Sequence, residues 1–163
     1  MAAEGGIEML VHLISTSGAN SDAVHRQASK ALANLGVNAG NKEKISDAGG
    51  IQPLITLAGV KNTAVCVEAI AALANLAVND GNEIEIAEKG GLVPILRGAA
   101  SQDVDLQSQS ARALRNLSVN PNNKVLIIDL DGVEILRKLI TICDVERIRL
   151  QATRALANLG YED

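Results

Sequence analysis

One short phrase recurs along this chain at an almost fixed distance. It reads ALANL at 31–35 and again at 72–76, ALRNL at 113–117, and ALANL at 155–159. Its asparagines, Asn34, Asn75, Asn116 and Asn158, follow one another at 41, 41 and 42 residues. A period of that size, kept over four copies, restricts the fold to an array in which each copy is one supersecondary unit. Such a unit cannot bury its apolar face alone, so the copies must stack side by side.

Other features keep the same register. Gly5-Gly6, Gly49-Gly50, Gly90-Gly91 and Asp131-Gly132 are each followed by Ile, Leu or Val. Asn38/Asn41, Asn79/Asn82 and Asn120/Asn123 follow the recurring phrase, and Asn at such places favours turns and helix caps. Between these breaks the apolar spacing predicts helices: 41–48, 51–59 and 63–78, then 82–89, 92–100 and 104–119, then 123–130, 133–142 and 145–160. Pro53 fits because it falls in a first turn. Ahead of these lie only two helices, 6–16 and 22–37, joined by a longer Ser/Gly/Asn loop. The chain therefore divides into a partial unit, 1–40, and three complete three-helix units, 41–81, 82–122 and 123–163, all within one domain.

Composition narrows the chemistry. At 163 residues and 47% hydrophobic the chain can fill a continuous core, but it has no Trp or Phe and only Tyr161 as an aromatic. The core must be aliphatic. A net charge of −4 gives no general attraction to nucleic acid or an acidic membrane, and aromatic platforms for stacking bases are missing. Cys66 and Cys143 are too few and too far apart for a disulfide framework and read as reduced thiols. The start MAAEGG has neither a secretory signal nor a myristoylation site, and no apolar run reaches membrane-spanning length. These features predict a soluble cytoplasmic protein, with the nucleus as the other compartment.

ALANL and ALRNL, the GGI, GGL and DGV turns and the N-x-x-N breaks together resemble armadillo repeats, over essentially the whole chain. HEAT repeats are the nearest competitor, but their units usually have two helices, and the short helix before each Gly-Gly points away from them. The resemblance implies an all-α, right-handed superhelical α-solenoid with one continuous core. In that family the third-helix asparagine lines an inner, concave surface and grips extended peptides.

The helical wheel places the asparagine at the margin of the apolar face. At about 100° per residue, with Asn at zero, the two Leu of each phrase and the Ala three before the Asn fall between 60° and 160°. The residues four and seven before the Asn fall beside it. Each unit thereby presents a polar stripe: Gln27-Lys30-Asn34, Glu68-Ala71-Asn75, Gln109-Arg112-Asn116 and Gln151-Arg154-Asn158. An amide both donates and accepts, which suits it to the N–H and C=O of an extended partner strand. The same amide could instead bond the backbone of a neighbouring unit and stiffen the stack.

One departure from the family bears on ligand choice. Its nuclear-import members carry Trp four residues before the Asn, and the indoles clasp lysine side chains. Lys30, Ala71, Arg112 and Arg154 stand there instead. With no aromatic face for cation–π contact, and with three like charges, a basic import signal is rejected. The stripe favours acidic or neutral segments, similar to the positive groove of the catenin branch, although Glu68 and Ala71 interrupt it. Arg147 and Arg149 add charge toward the C-terminus.

The remaining motifs carry no chemistry. His12 occupies a solvent position, and His25 has no second ligand at metal-binding spacing. No Ser-His-Asp set, phosphate-binding loop or dinucleotide fingerprint is present. Asn116-Leu117-Ser118 matches a glycosylation sequon by accident, within a helix, and Glu83, Glu85 and Glu88 read as a solvated face. The expectation is a non-enzymatic scaffold without cofactor or metal, binding a protein partner through an extended segment. The alternative is a regulatory or autoinhibitory piece of a larger multidomain protein. Neither end shows a polar cap, which predicts end-to-end self-association.

Overall fold

In the computed structural model the described residues, 5–16 and 21–162, form eleven α-helices and no strand. The expected Ser/Gly/Asn loop at 17–20, most of the MAAEGG start and Asp163 lie outside those residues. α1 (Gly6–Ser15) and α2 (Ser21–Leu35) come first. Three triplets follow: α3 (Ala39–Asp47), α4 (Ile51–Ala58) and α5 (Thr63–Leu76), then α6 (Asp80–Glu88), α7 (Leu92–Ala100) and α8 (Val104–Leu117). The last comprises α9 (Pro121–Asp129), α10 (Gly132–Ile142) and α11 (Glu146–Asn158).

The short helices begin two residues earlier than the sequence predicts. The first Asn of each N-x-x-N is the N-cap, and its side chain accepts from the backbone N–H three residues on: Asn38 from Asn41 at 3.1 Å, Asn79 from Asn82 at 3.0 Å and Asn120 from Asn123 at 3.2 Å. The second Asn therefore lies inside the helix. Asn82 and Asn123 are buried, and their amides donate to the carbonyls of Lys42 (3.4 Å) and Glu83 (3.1 Å), one unit earlier.

In the three complete units the sharp turn into the second helix sets two separate demands. Its first residue takes a left-handed backbone, φ +79° at Gly49, +85° at Gly90 and +64° at Asp131. Asp is among the few side chains that tolerate this region. The next residue has no room for a Cβ, which at Gly50 would stand 2.8 Å from Ile45 Cγ2 and at Gly132 only 2.3 Å from Ile127 Cγ2. The last unit can therefore replace the first glycine but not the second.

Helices of one kind line up along the stack. α2, α5, α8 and α11 pack successively against one another, and α1, α4, α7 and α10 form a second row across the core from them. Ile51, Leu54, Leu73, Leu76, Ile95, Leu114 and Leu117 are fully buried along this seam. Buried alanines such as Ala69, Ala72, Ala111, Ala113 and Ala152 let the third helices approach closely where Leu would hold them apart. The result is one continuous aliphatic core in an α-solenoid. No helix among the described residues is long and apolar enough to cross a membrane.

Candidate functional site

The four stripes lie on α2, α5, α8 and α11, the row of mutually packed third helices. Gln27, Lys30 and Asn34 are exposed on α2. On α5, Glu68 and Asn75 are half-buried and Ala71 is buried; on α8, Gln109, Arg112 and Asn116 are all half-buried. On α11, Gln151 and Asn158 are half-buried and Arg154 is exposed.

Each later asparagine reaches back to the preceding third helix. Asn75 Nδ2 donates to the Ala33 carbonyl at 2.7 Å, Asn116 Nδ2 to Ala74 at 2.9 Å, and Asn158 Nδ2 to Arg115 at 3.1 Å. In every case the acceptor is the residue just before the preceding Asn. These carbonyls belong to the last helical turn, where no intrahelical N–H reaches them, so at Ala33 and Ala74 the amides satisfy groups that would otherwise need water, while the Arg115 carbonyl also accepts from Ser118 Oγ at 3.0 Å. The structural role weighed from the sequence is thus realised at three of the four positions. It consumes one N–H of Asn75 and of Asn116, whereas Asn158 Nδ2 donates to Ser118 Oγ as well, at 3.1 Å. Among the described residues the carbonyl oxygens of Asn116 and Asn158 accept no hydrogen bond, and exposed Asn34 makes no side-chain bond at all.

Asn75 differs. Its carbonyl oxygen accepts from Arg112 Nη1 at 2.6 Å. The same guanidinium donates to Gln109 Oε1 (Nη2 at 2.8 Å, Nε at 3.3 Å) and to the Ala71 carbonyl at 3.4 Å. All of these partners are neutral, so the guanidinium is partly desolvated without a counter-charge, and burial depresses its pKa. Arg112 turns to Gln109 and Asn75, not to Glu68. Arg115 Nη1 likewise donates to Gln151 Oε1 at 3.2 Å.

Outside the stripe, the reading of Glu83, Glu85 and Glu88 as one solvated face needs correction. Glu88 is exposed and Glu85 pairs with Lys89 at 2.7 Å, but Glu83 is buried. Burial, reinforced by the charge of Asp80, pushes its carboxyl pKa up against a hydrogen bond from Asn120. Lys42, one unit earlier in the same register, is also buried and donates from Nζ to the carbonyls of Gly36 and Val37 (3.1 Å to Val37) beyond α2. The signal for both was their shared place immediately after the second Asn of N-x-x-N. His12 is exposed, whereas His25 is buried with Nε2 2.5 Å from the Thr16 carbonyl, tying α2 to the end of α1. Among the described residues no three His, Cys, Asp or Glu side chains cluster as metal ligands.

The family profile described as Armadillo/beta-catenin-like repeat matches residues 38–78 and 120–160, half of the chain. A comparison with curated proteins found no match. Among solved structures, the chain is 31% identical to an engineered protein, with a TM-score of 0.87 over 96% of this chain and 63% of that one. A computationally designed armadillo repeat protein for modular peptide recognition is 25% identical, with a TM-score of 0.84 over 94% and 64% of the two chains. A designed armadillo repeat protein in complex with the peptide (KR)4 is similar in fold, at 24% identity and a TM-score of 0.84 over 95% and 64%. The chain thus spans less than two thirds of the length of each.

Proposed function

Because the chain belongs to the Armadillo/beta-catenin-like repeat family, we propose that it is a non-enzymatic interaction scaffold that holds an extended segment of a protein partner along the third-helix row. The observation that carries this reading is the asparagine row itself. Asn34, Asn75, Asn116 and Asn158 recur once per unit, and the amides of Asn75, Asn116 and Asn158 are fixed by a bond to the helix behind. Fixing the amide reduces the side-chain entropy that binding would otherwise cost. The unbonded carbonyl oxygens of Asn116 and Asn158, and the whole amide of Asn34, are then available to a partner's backbone. The likeness to a designed protein for modular peptide recognition supports a peptide ligand.

Lys30, Arg112 and Arg154 give the row its charge, and Gln27, Glu68, Gln109 and Gln151 flank the asparagines as polar contacts. The ligand is therefore acidic or neutral. A lysine- or arginine-rich segment would meet like charge and no aromatic face. We place the protein in the cytoplasm or nucleus, acting without cofactor, metal or nucleic acid.

The test is binding of fluorescent peptides of alternating Asp-Ser, Asn-Ser and Lys-Ser to the wild-type chain and to Asn116→Ala/Asn158→Ala. The Asp-Ser and Asn-Ser peptides should bind, with affinity falling about tenfold or more in the double variant through lost backbone hydrogen bonds. Urea unfolding run in parallel should show a stability loss of about 1–3 kcal/mol for the orphaned Ala74 carbonyl, the Arg115 carbonyl keeping its bond from Ser118 Oγ. Equal binding by a folded but less stable double variant would leave the asparagines a structural role alone. Preference for the Lys-Ser peptide would overturn the charge assignment.

A further inference from the structure

The contact between Arg112 and Asn75 has no counterpart in the other units of the row. Among the described residues Asn75 is the one row asparagine whose carbonyl oxygen already has a partner, and that partner is a cation whose other acceptors are Gln109 and the Ala71 backbone. A peptide N–H arriving at Asn75 finds its acceptor taken. Arg112, in turn, is half-buried with neutral acceptors only, a state that an incoming carboxylate improves, since charge-assisted bonds to a carboxylate exceed those to an amide. The one residue able to release Asn75 is thus the residue an acidic side chain would attract.

We propose that Arg112 is a latch that sets the specificity of the row by coupling recognition of a ligand carboxylate to exposure of Asn75. This rests on the peptide-binding reading above and deepens it. In the closed state the guanidinium bridges α8 to α5 through Asn75 Oδ1, and that unit grips no partner backbone. An Asp or Glu side chain draws Nη1 away from Asn75, and the freed Oδ1 accepts the N–H of the same segment. A neutral segment supplies no charged acceptor, leaves the latch shut and binds through the remaining units. Selectivity for acidic ligands then arises from two linked contacts, in the manner of a binding-competent state that the correct ligand stabilises. Ala71 takes part through its backbone carbonyl, which accepts from Arg112 Nη2 at 3.4 Å in the closed state.

The experiment measures the Asp-Ser and Asn-Ser peptides against wild type, Arg112→Ala, Asn75→Ala and the Arg112→Ala/Asn75→Ala pair, with circular dichroism to establish that each is folded. The latch predicts opposite signs for Arg112→Ala: the Asp-Ser peptide weakens about tenfold or more, while the Asn-Ser peptide tightens severalfold because Asn75 is now open. Asn75→Ala alone should weaken the Asp-Ser peptide and leave the Asn-Ser peptide unchanged. In the Arg112→Ala background, Asn75→Ala should cancel the gain of the Asn-Ser peptide. Arg112→Lys, which keeps the charge but loses the planar fork, should retain part of the preference for Asp-Ser. If Arg112→Ala weakens both peptides by the same factor, Arg112 is a simple charge and the latch is wrong, while the scaffold reading stands. If no peptide binds any variant, the scaffold reading and the latch fall together.

Discussion

At the scale of single residues, the asparagines satisfy two demands through two ends of one amide. Nδ2 closes the seam with the preceding unit, and Oδ1 is left over, except at Asn75. Periodicity alone identified the positions, and the wheel put them beside the apolar face. Which amide atom goes where was not legible, because it depends on how closely α5 approaches α2 across buried alanines. Glu83 was legible only as an acid among acids; its burial follows from the earlier start of α6. Its raised carboxyl pKa makes a pH prediction. A group that holds its proton more tightly when folded contributes stability below its unfolded pKa and loses it as pH rises through the folded value. Glu83→Gln, a mimic of the protonated form, should therefore be more stable than wild type near neutral pH. The difference should close as pH falls toward and below the ordinary Glu pKa of 4.5. Urea midpoints across that range would show it, and a gap that does not change with pH would exclude it.

At the scale of elements, the two-residue turn between first and second helices separates conformation from space. Gly49-Gly50, Gly90-Gly91 and Asp131-Gly132 share one register in the sequence. The backbone explains the asymmetry: Asp131 supplies the left-handed φ at modest cost, and only hydrogen fits at Gly132, beneath Ile127. Asp131→Gly should change stability by less than about 1 kcal/mol, since relieved strain is offset by the greater freedom of glycine when unfolded. Gly132→Ala should cost about 1–3 kcal/mol or more through overpacking against the Ile127 carbonyl and methyl. Thermal melts of the two variants decide it, and equal losses would mean that the turn relaxes. The short helices start two residues before the sequence places them, because Asn-x-x-Asn caps its helix at the first Asn and not at the second.

At the scale of the molecule, the fold class was legible because several motifs keep one register through the chain, and no single helix had to be certain. The stack obeys nearest-neighbour rules, in which each unit is stabilised by its own packing and by the units on either side. Deleting 82–122 removes one whole period and sets Asn158 behind Ala74 and Asn123 behind Lys42, the positions that their missing counterparts bonded. The shortened chain should fold cooperatively, with a urea m-value lower by roughly a quarter, in keeping with the smaller surface exposed. A non-cooperative, weakly helical product would refute nearest-neighbour stacking. The direction of the seam bonds bears on synthesis as well. Asn75, Asn82, Asn116, Asn123 and Asn158 all donate from a later unit to an earlier one. A chain leaving the ribosome from its N-terminus thus meets each acceptor already in place. These asparagine bonds can close as each unit emerges, whereas the bond from Arg115 to Gln151 waits for the last unit.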